Sequence, residues 1–169
     1  DPRDVYVSLL KFPNFHLDEV EFAHLWVEEQ NQSLSLFDEL GVDYLLLKYE
    51  DLLLDTKAEL VKTCAYLNIE FEESMLDFYK SKGIREQSSE LMAWGNICKP
   101  IFSSNTEKFY KYLSYQQVAK IEETLASSLV RFGYEMANPG GFILSPLSIK
   151  TYVYSQKESE KRLKRKKVE

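Results

Sequence analysis

Between Gly41 and Lys48 the chain reads Val42-Asp43-Tyr44-Leu45-Leu46-Leu47, and this segment constrains the fold more than any other. It is almost wholly apolar, as befits a strand covered on both faces. A long helical pattern precedes it, and Gly41 separates the two. Helix, glycine, then buried strand is an α/β connection. One buried strand cannot form a sheet alone. No second segment reads convincingly as a strand, so the sheet partners are expected before Asp1. The expected fold class is α/β, with this chain its mostly helical C-terminal part.

The remaining segments read as helices with clear end signals. Leu17 to Leu40 places Phe22, Trp26, Ser33, Phe37 and Leu40 near one face, with Asp18 as N-cap and Glu21 three residues on. Asp55 or Thr56 caps a helix striped by Leu60, Val61, Cys64 and Leu67. Glu72 to Lys80 is a shorter helix. Residues 96–108 lack periodicity and read as a structured loop. Ser114 caps a helix striped by Val118, Ile121, Leu125, Leu129 and Phe132, and Gly133 ends it. Asn138-Pro139-Gly140-Gly141 reads as a boundary, giving a domain over 1–136 and a linker with a basic tail over 137–169.

Composition narrows the function classes. A length of 169 residues, 44% of them hydrophobic, suits one globular domain. Charge is uneven: net −6 overall, but positive from Lys150 onward and acidic before it. An acidic body excludes broad nucleic-acid binding, which needs a basic face. The run Lys161-Arg162-Leu163-Lys164-Arg165-Lys166-Lys167 offers contact with an anionic membrane surface at most. The apolar stretch Val42 to Leu54 is broken by Lys48, Glu50 and Asp51, and no segment reads as a membrane span. Two cysteines, Cys64 and Cys98, make no disulfide framework and lack metal-ligand spacing. Without a signal peptide, the expected location is cytoplasmic. A segment before Asp1 carrying an anchor would make it a Golgi lumen protein instead.

No local catalytic motif is present, and His16 and His24 have no partner at a suggestive spacing. The chemistry-bearing residues form a dispersed set. Asp1-Pro2-Arg3-Asp4-Val5-Tyr6-Val7-Ser8 opens a helix, with Arg3 and a hydroxyl near an N-terminus that favours anions. Tyr49 follows the apolar segment, where open α/β sheets bind ligands. Asn96, Lys99 and Pro100 sit in the irregular stretch, and Lys108 follows. Cations and hydroxyls suit phosphate, and an aromatic with a polar tip suits a base.

In order and spacing, this set resembles the sulfotransferase family over residues 1 to about 136, the match resting on a series of individually weak motifs. Asp1 to Ser8 is similar to the family's Arg-(Asp/Asn)-Pro-(Lys/Arg)-Asp-x-x-x-Ser without its leading Arg. Lys48-Tyr49-Glu50-Asp51-Leu52 looks like its Tyr-Glu-Asp-Leu, and Asn68-Ile69-Glu70-Phe71-Glu72 like its Leu-Gly-Ile-x-Phe-Glu. Lys99-Pro100-Ile101 with Lys108-Phe109 resembles the Lys-Pro-Val and Lys-Trp of tyrosylprotein sulfotransferases and their bacterial relatives. Phe132-Gly133-Tyr134-Glu135 closes the domain as many members do. Phe102-Ser103-Ser104 departs from the Arg-Lys-Gly of cytosolic members.

The resemblance implies a P-loop-kinase-like three-layer sandwich around a parallel sheet. It implies 3′-phosphoadenylyl sulfate (PAPS) as sulfuryl donor, no metal, and a hydroxyl or amine acceptor. Ser8 is then a ligand of the 3′-phosphate and Tyr49 of the adenine. Lys99, Lys108, and the loop with Asn96 and Pro100 hold phosphate and ribose. Arg3 matches the motif, as a donor contact or as a structural residue. The catalytic lysine and base are expected upstream of Asp1, so this portion is expected to be inactive by itself. Two other readings follow from the residues: a non-enzymatic helical interaction module, and a nucleotide-kinase-like transferase using Glu50-Asp51 for Mg²⁺.

Overall fold

A computed structural model describes residues 1–81, 83, 99–102 and 105–138. The described residues are mostly helical and fall into two compact units. The first unit comprises Asp1 and Leu40–Glu107. The second comprises Pro2–Glu39 and the chain from Lys108 onward. The helices are α1 (Pro2–Leu9), α2 (Glu19–Leu40), α3 (Tyr49–Leu54), α4 (Thr56–Leu67), α5 (Phe109–Tyr112) and α6 (Tyr115–Arg131). A 3₁₀ segment, Glu73–Lys80, kinks at Asp77 where a single helix was expected.

The second unit holds the core. Tyr6, Val7, Phe22, Ala23, Phe109, Leu113, Val118, Ile121, Leu125 and Leu129 form one buried cluster. Helix α6 supplies its spine because its apolar residues recur every three or four positions. Each of Ile121, Leu125 and Leu129 is fully buried, which stabilises by about 1.5–3 kcal/mol per side chain. Ser114 caps α6 in a reciprocal capping box with Gln117. Gly133, at φ 70°, turns the chain out of α6, and the Tyr134 N–H returns to the Leu129 carbonyl at 2.8 Å. Tyr6, Phe15 and Phe22 pack with ring centroids 5.1–6.4 Å apart.

Helix α2 starts as its sequence predicts. Asp18 Oδ1 accepts the N–H groups of Val20 and Glu21, both at 2.9 Å, and Glu21 reaches back to the Asp18 N–H. Its expected face is only partly used. Phe22 is buried and Trp26 and Phe37 are half-buried, while Ser33 and Leu40 are exposed. Trp26 packs edge-on against Phe132 at 5.6 Å.

The first unit is built differently. Asp55 caps α4 by accepting the Ala58 N–H at 3.0 Å, and Asn68 ends it in the left-handed region at φ 54°. Of the expected α4 stripe, Cys64 is buried, Leu60 is half-buried, and Val61 and Leu67 are exposed. Cys64 is the single buried residue among the described residues of this unit.

Val42–Leu47 is not a strand here. It has no regular secondary structure, and Val42, Tyr44, Leu46 and Leu47 are exposed. The expected two-sided burial is absent because no strand exists among the described residues to pair with it. Its backbone is tied down at one point, where the Tyr66 hydroxyl donates to the Asp43 carbonyl at 2.7 Å.

No helix among the described residues is long and apolar enough to cross a membrane. Asn96, Cys98, Ser103, Ser104 and the basic run from Lys161 to Lys167 lie outside the described residues.

Candidate functional site

In the second unit, α1 brings Asp4 and Ser8 onto one face, because residues four apart lie one above the other on a helix. The Ser8 hydroxyl donates to the Asp4 carbonyl at 2.9 Å. The same Ser8 Oγ accepts from Lys108 Nζ at 2.8 Å, across 100 residues of sequence. Lys108 immediately precedes α5. Glu107, just ahead of it, adopts φ 57°, an uncommon conformation for a residue with a side chain.

Lys108 makes no ion pair among the described residues. Desolvation pushes its ammonium below the ordinary lysine range. Lys11 pushes the same way, and Asp4 and Tyr112 oppose both. The Lys108 ammonium has further protons for a phosphate oxygen, and the Ser8 hydroxyl can donate to the same anion by turning from the Asp4 carbonyl.

Arg3 is turned away from this role. The plain expectation for such a helix start, a solvated guanidinium, does not hold, because Arg3 is only 3% exposed. It pairs with Glu122 of α6, and its guanidinium lies 4.1 Å from the centre of the Phe109 ring. Glu122 is fully buried and also accepts the N–H groups of Ala137 at 2.7 Å and Asn138 at 3.0 Å. Arg3 therefore ties α1 to α6, and Phe109 to both.

In the first unit, Tyr49 begins α3 after Lys48 and is 47% exposed. Its hydroxyl accepts from Asn105 Nδ2 at 2.6 Å. Lys99 and Pro100 are exposed, and Asn96 is outside the described residues. Tyr49 is thus on the surface, free to present its ring to a planar ligand. No group of three or more His, Cys, Asp or Glu that could hold a metal occurs among the described residues.

Sequence reasoning missed three residues of these arrangements. Asp4 was legible as a helical neighbour of Ser8, one turn ahead of it. Glu122 sits among the apolar positions of α6, where a carboxylate signals a buried partner. Asn105 carried no signal beyond its place in a polar loop. Comparison with family models, with curated proteins and with solved structures returned no match.

Proposed function

We propose that this chain is part of a sulfotransferase that takes the sulfuryl group from PAPS and delivers it to a hydroxyl or amine acceptor. The observation that carries the reading is the 2.8 Å contact between Lys108 Nζ and Ser8 Oγ. The family resemblance assigns both residues to donor phosphates from separate motifs, and they meet in the folded unit. Their chemistry fits a phosphate monoester: a cation with unused protons beside a hydroxyl.

In this reading Ser8 and Lys108 hold the 3′-phosphate, and the resemblance alone assigns Tyr49 to the adenine. Lys99, with Asn96 and Pro100 in its loop, contacts the remaining phosphate and ribose. Arg3 is a structural anchor for α1. The donor supplies an activated sulfuryl group, whose transfer needs positive charge on the leaving phosphate and a base at the acceptor. The reading assigns neither of those two roles to a residue of this chain.

The test is calorimetric titration of the 169-residue chain with adenosine 3′,5′-bisphosphate in the absence of metal. Binding that weakens at least tenfold in both Ser8→Ala and Lys108→Ala is expected, because charge-assisted hydrogen bonds are lost, worth about 1.5–3 kcal/mol each. No response to the bisphosphate, with Mg²⁺-dependent ATP binding, would turn the assignment to a nucleotide kinase. No response to either nucleotide leaves a helical interaction module.

A further inference from the structure

We propose that Asp4 is a positioning residue that sets Lys108 against Ser8 and so assembles the phosphate-binding pair. The inference rests on the reading of Ser8 and Lys108 as phosphate ligands and extends it to a residue that touches no ligand.

Two hydrogen bonds and one unpartnered oxygen define the setting of Asp4. Its Oδ1 accepts the Phe109 N–H at 2.9 Å in a buried setting, which fixes the main chain directly after Lys108. Its carbonyl accepts the Ser8 hydroxyl at 2.9 Å, which leaves a lone pair of Ser8 Oγ facing Lys108 Nζ. Its second carboxylate oxygen, Oδ2, is buried and has no hydrogen-bond partner. Asp4 as a whole is 7% exposed. A buried carboxylate oxygen without a donor is unfavourable unless its charge is used. The Asp4 charge favours the ammonium form of Lys108, although the two make no ion pair.

Desolvation and Lys11 act against the charge on Lys108, while Asp4 and Tyr112 act for it. Asp4 thus does two separable things. Its oxygen places the backbone at Phe109, and its charge keeps Lys108 able to donate. Asparagine at this position retains an oxygen for the Phe109 N–H and removes the charge. Alanine removes both.

The experiment follows the side-chain signals of Lys108 against pH by NMR in the full chain with isotopically labelled lysine. Wild type, Asp4→Asn and Asp4→Ala are compared, and Lys108→Arg assigns the signal. In Asp4→Asn the Lys108 titration is expected to move further below the ordinary lysine range, with the helical signal in circular dichroism unchanged. Affinity for adenosine 3′,5′-bisphosphate falls in the order wild type, Asp4→Asn, Asp4→Ala, by about tenfold or more at the last step. A Lys108 titration unchanged in Asp4→Asn overturns the charge role, and Lys108 side-chain signals in Asp4→Ala identical to those in Asp4→Asn overturn the positioning role. Those readouts need no ligand. Failure of the wild type to bind the bisphosphate would instead remove the phosphate reading and leave the Asp4 result standing by itself.

Discussion

Glu122 is a fully buried carboxylate in the second unit. It is 0% exposed and faces one guanidinium and two backbone N–H groups. A buried ion pair is weak evidence for net stability, since desolvation offsets attraction. Removing one partner is a different matter, because the other charge remains buried and unpaired. Glu122→Ala is therefore expected to destabilise the unit by about 3–5 kcal/mol. Urea unfolding followed by circular dichroism measures it, and a loss below about 1 kcal/mol would show that Arg3 finds other compensation. The place of Glu122 on an apolar face signals a buried partner, but nothing in the sequence points to Arg3, 119 residues away. Arg3 reads as surface from its helix start, and only the fold shows what it meets.

At the scale of elements, the caps and stripes were legible because their causes are local. Asp18, Asp55 and Ser114 each bond the N–H groups that their positions predict. Of the α6 stripe, Val118, Ile121, Leu125 and Leu129 are buried, and Phe132, just past the helix, is half-buried. Gln117 shows how one side chain serves two elements. Its Oε1 accepts from Ser114 within the capping box, and its Nε2 donates to Glu19 of α2 at 2.7 Å. That bond is the main reason the Glu19 carboxyl lies below its ordinary 4.5, with burial opposing it and Lys120 adding to it. A lowered carboxyl contributes stability that is complete above 4.5 and disappears as pH falls through the lowered value. Gln117→Ala is expected to return Glu19 toward 4.5, to remove this part of the acid sensitivity, and to cost about 0.5–1.5 kcal/mol at neutral pH. Carbon-detected NMR titration of Glu19 with unfolding at neutral and acid pH checks both; an unmoved Glu19 would refute the coupling. The apolar segment Val42–Leu47 lacks regular structure for the opposite reason. Its composition is local, but strand formation needs a neighbour, and pairing is a property of the whole sheet.

For the whole molecule, the two units differ in what holds them. The second has a contiguous core, whereas Cys64 alone is buried among the described residues of the first. Local opening needs little free energy where few apolar contacts are lost. Amide hydrogen exchange in α4 is therefore expected to be faster than at Ile121, Leu125 and Leu129 of α6, by a factor of roughly a hundred or more. Equal protection in both helices would mean that the two units open together. Ser8 and Lys108 were linked in advance only by resemblance, because a contact spanning 100 residues leaves no periodic trace. Glu122 also decides where this unit can be cut. A chain trimmed after Met136 retains every described helix of the unit but deletes the Ala137 and Asn138 amides that face the buried carboxylate. Any piece of this unit cut to fold by itself must therefore keep Ala137 and Asn138, a limit set by a side chain in the middle of α6.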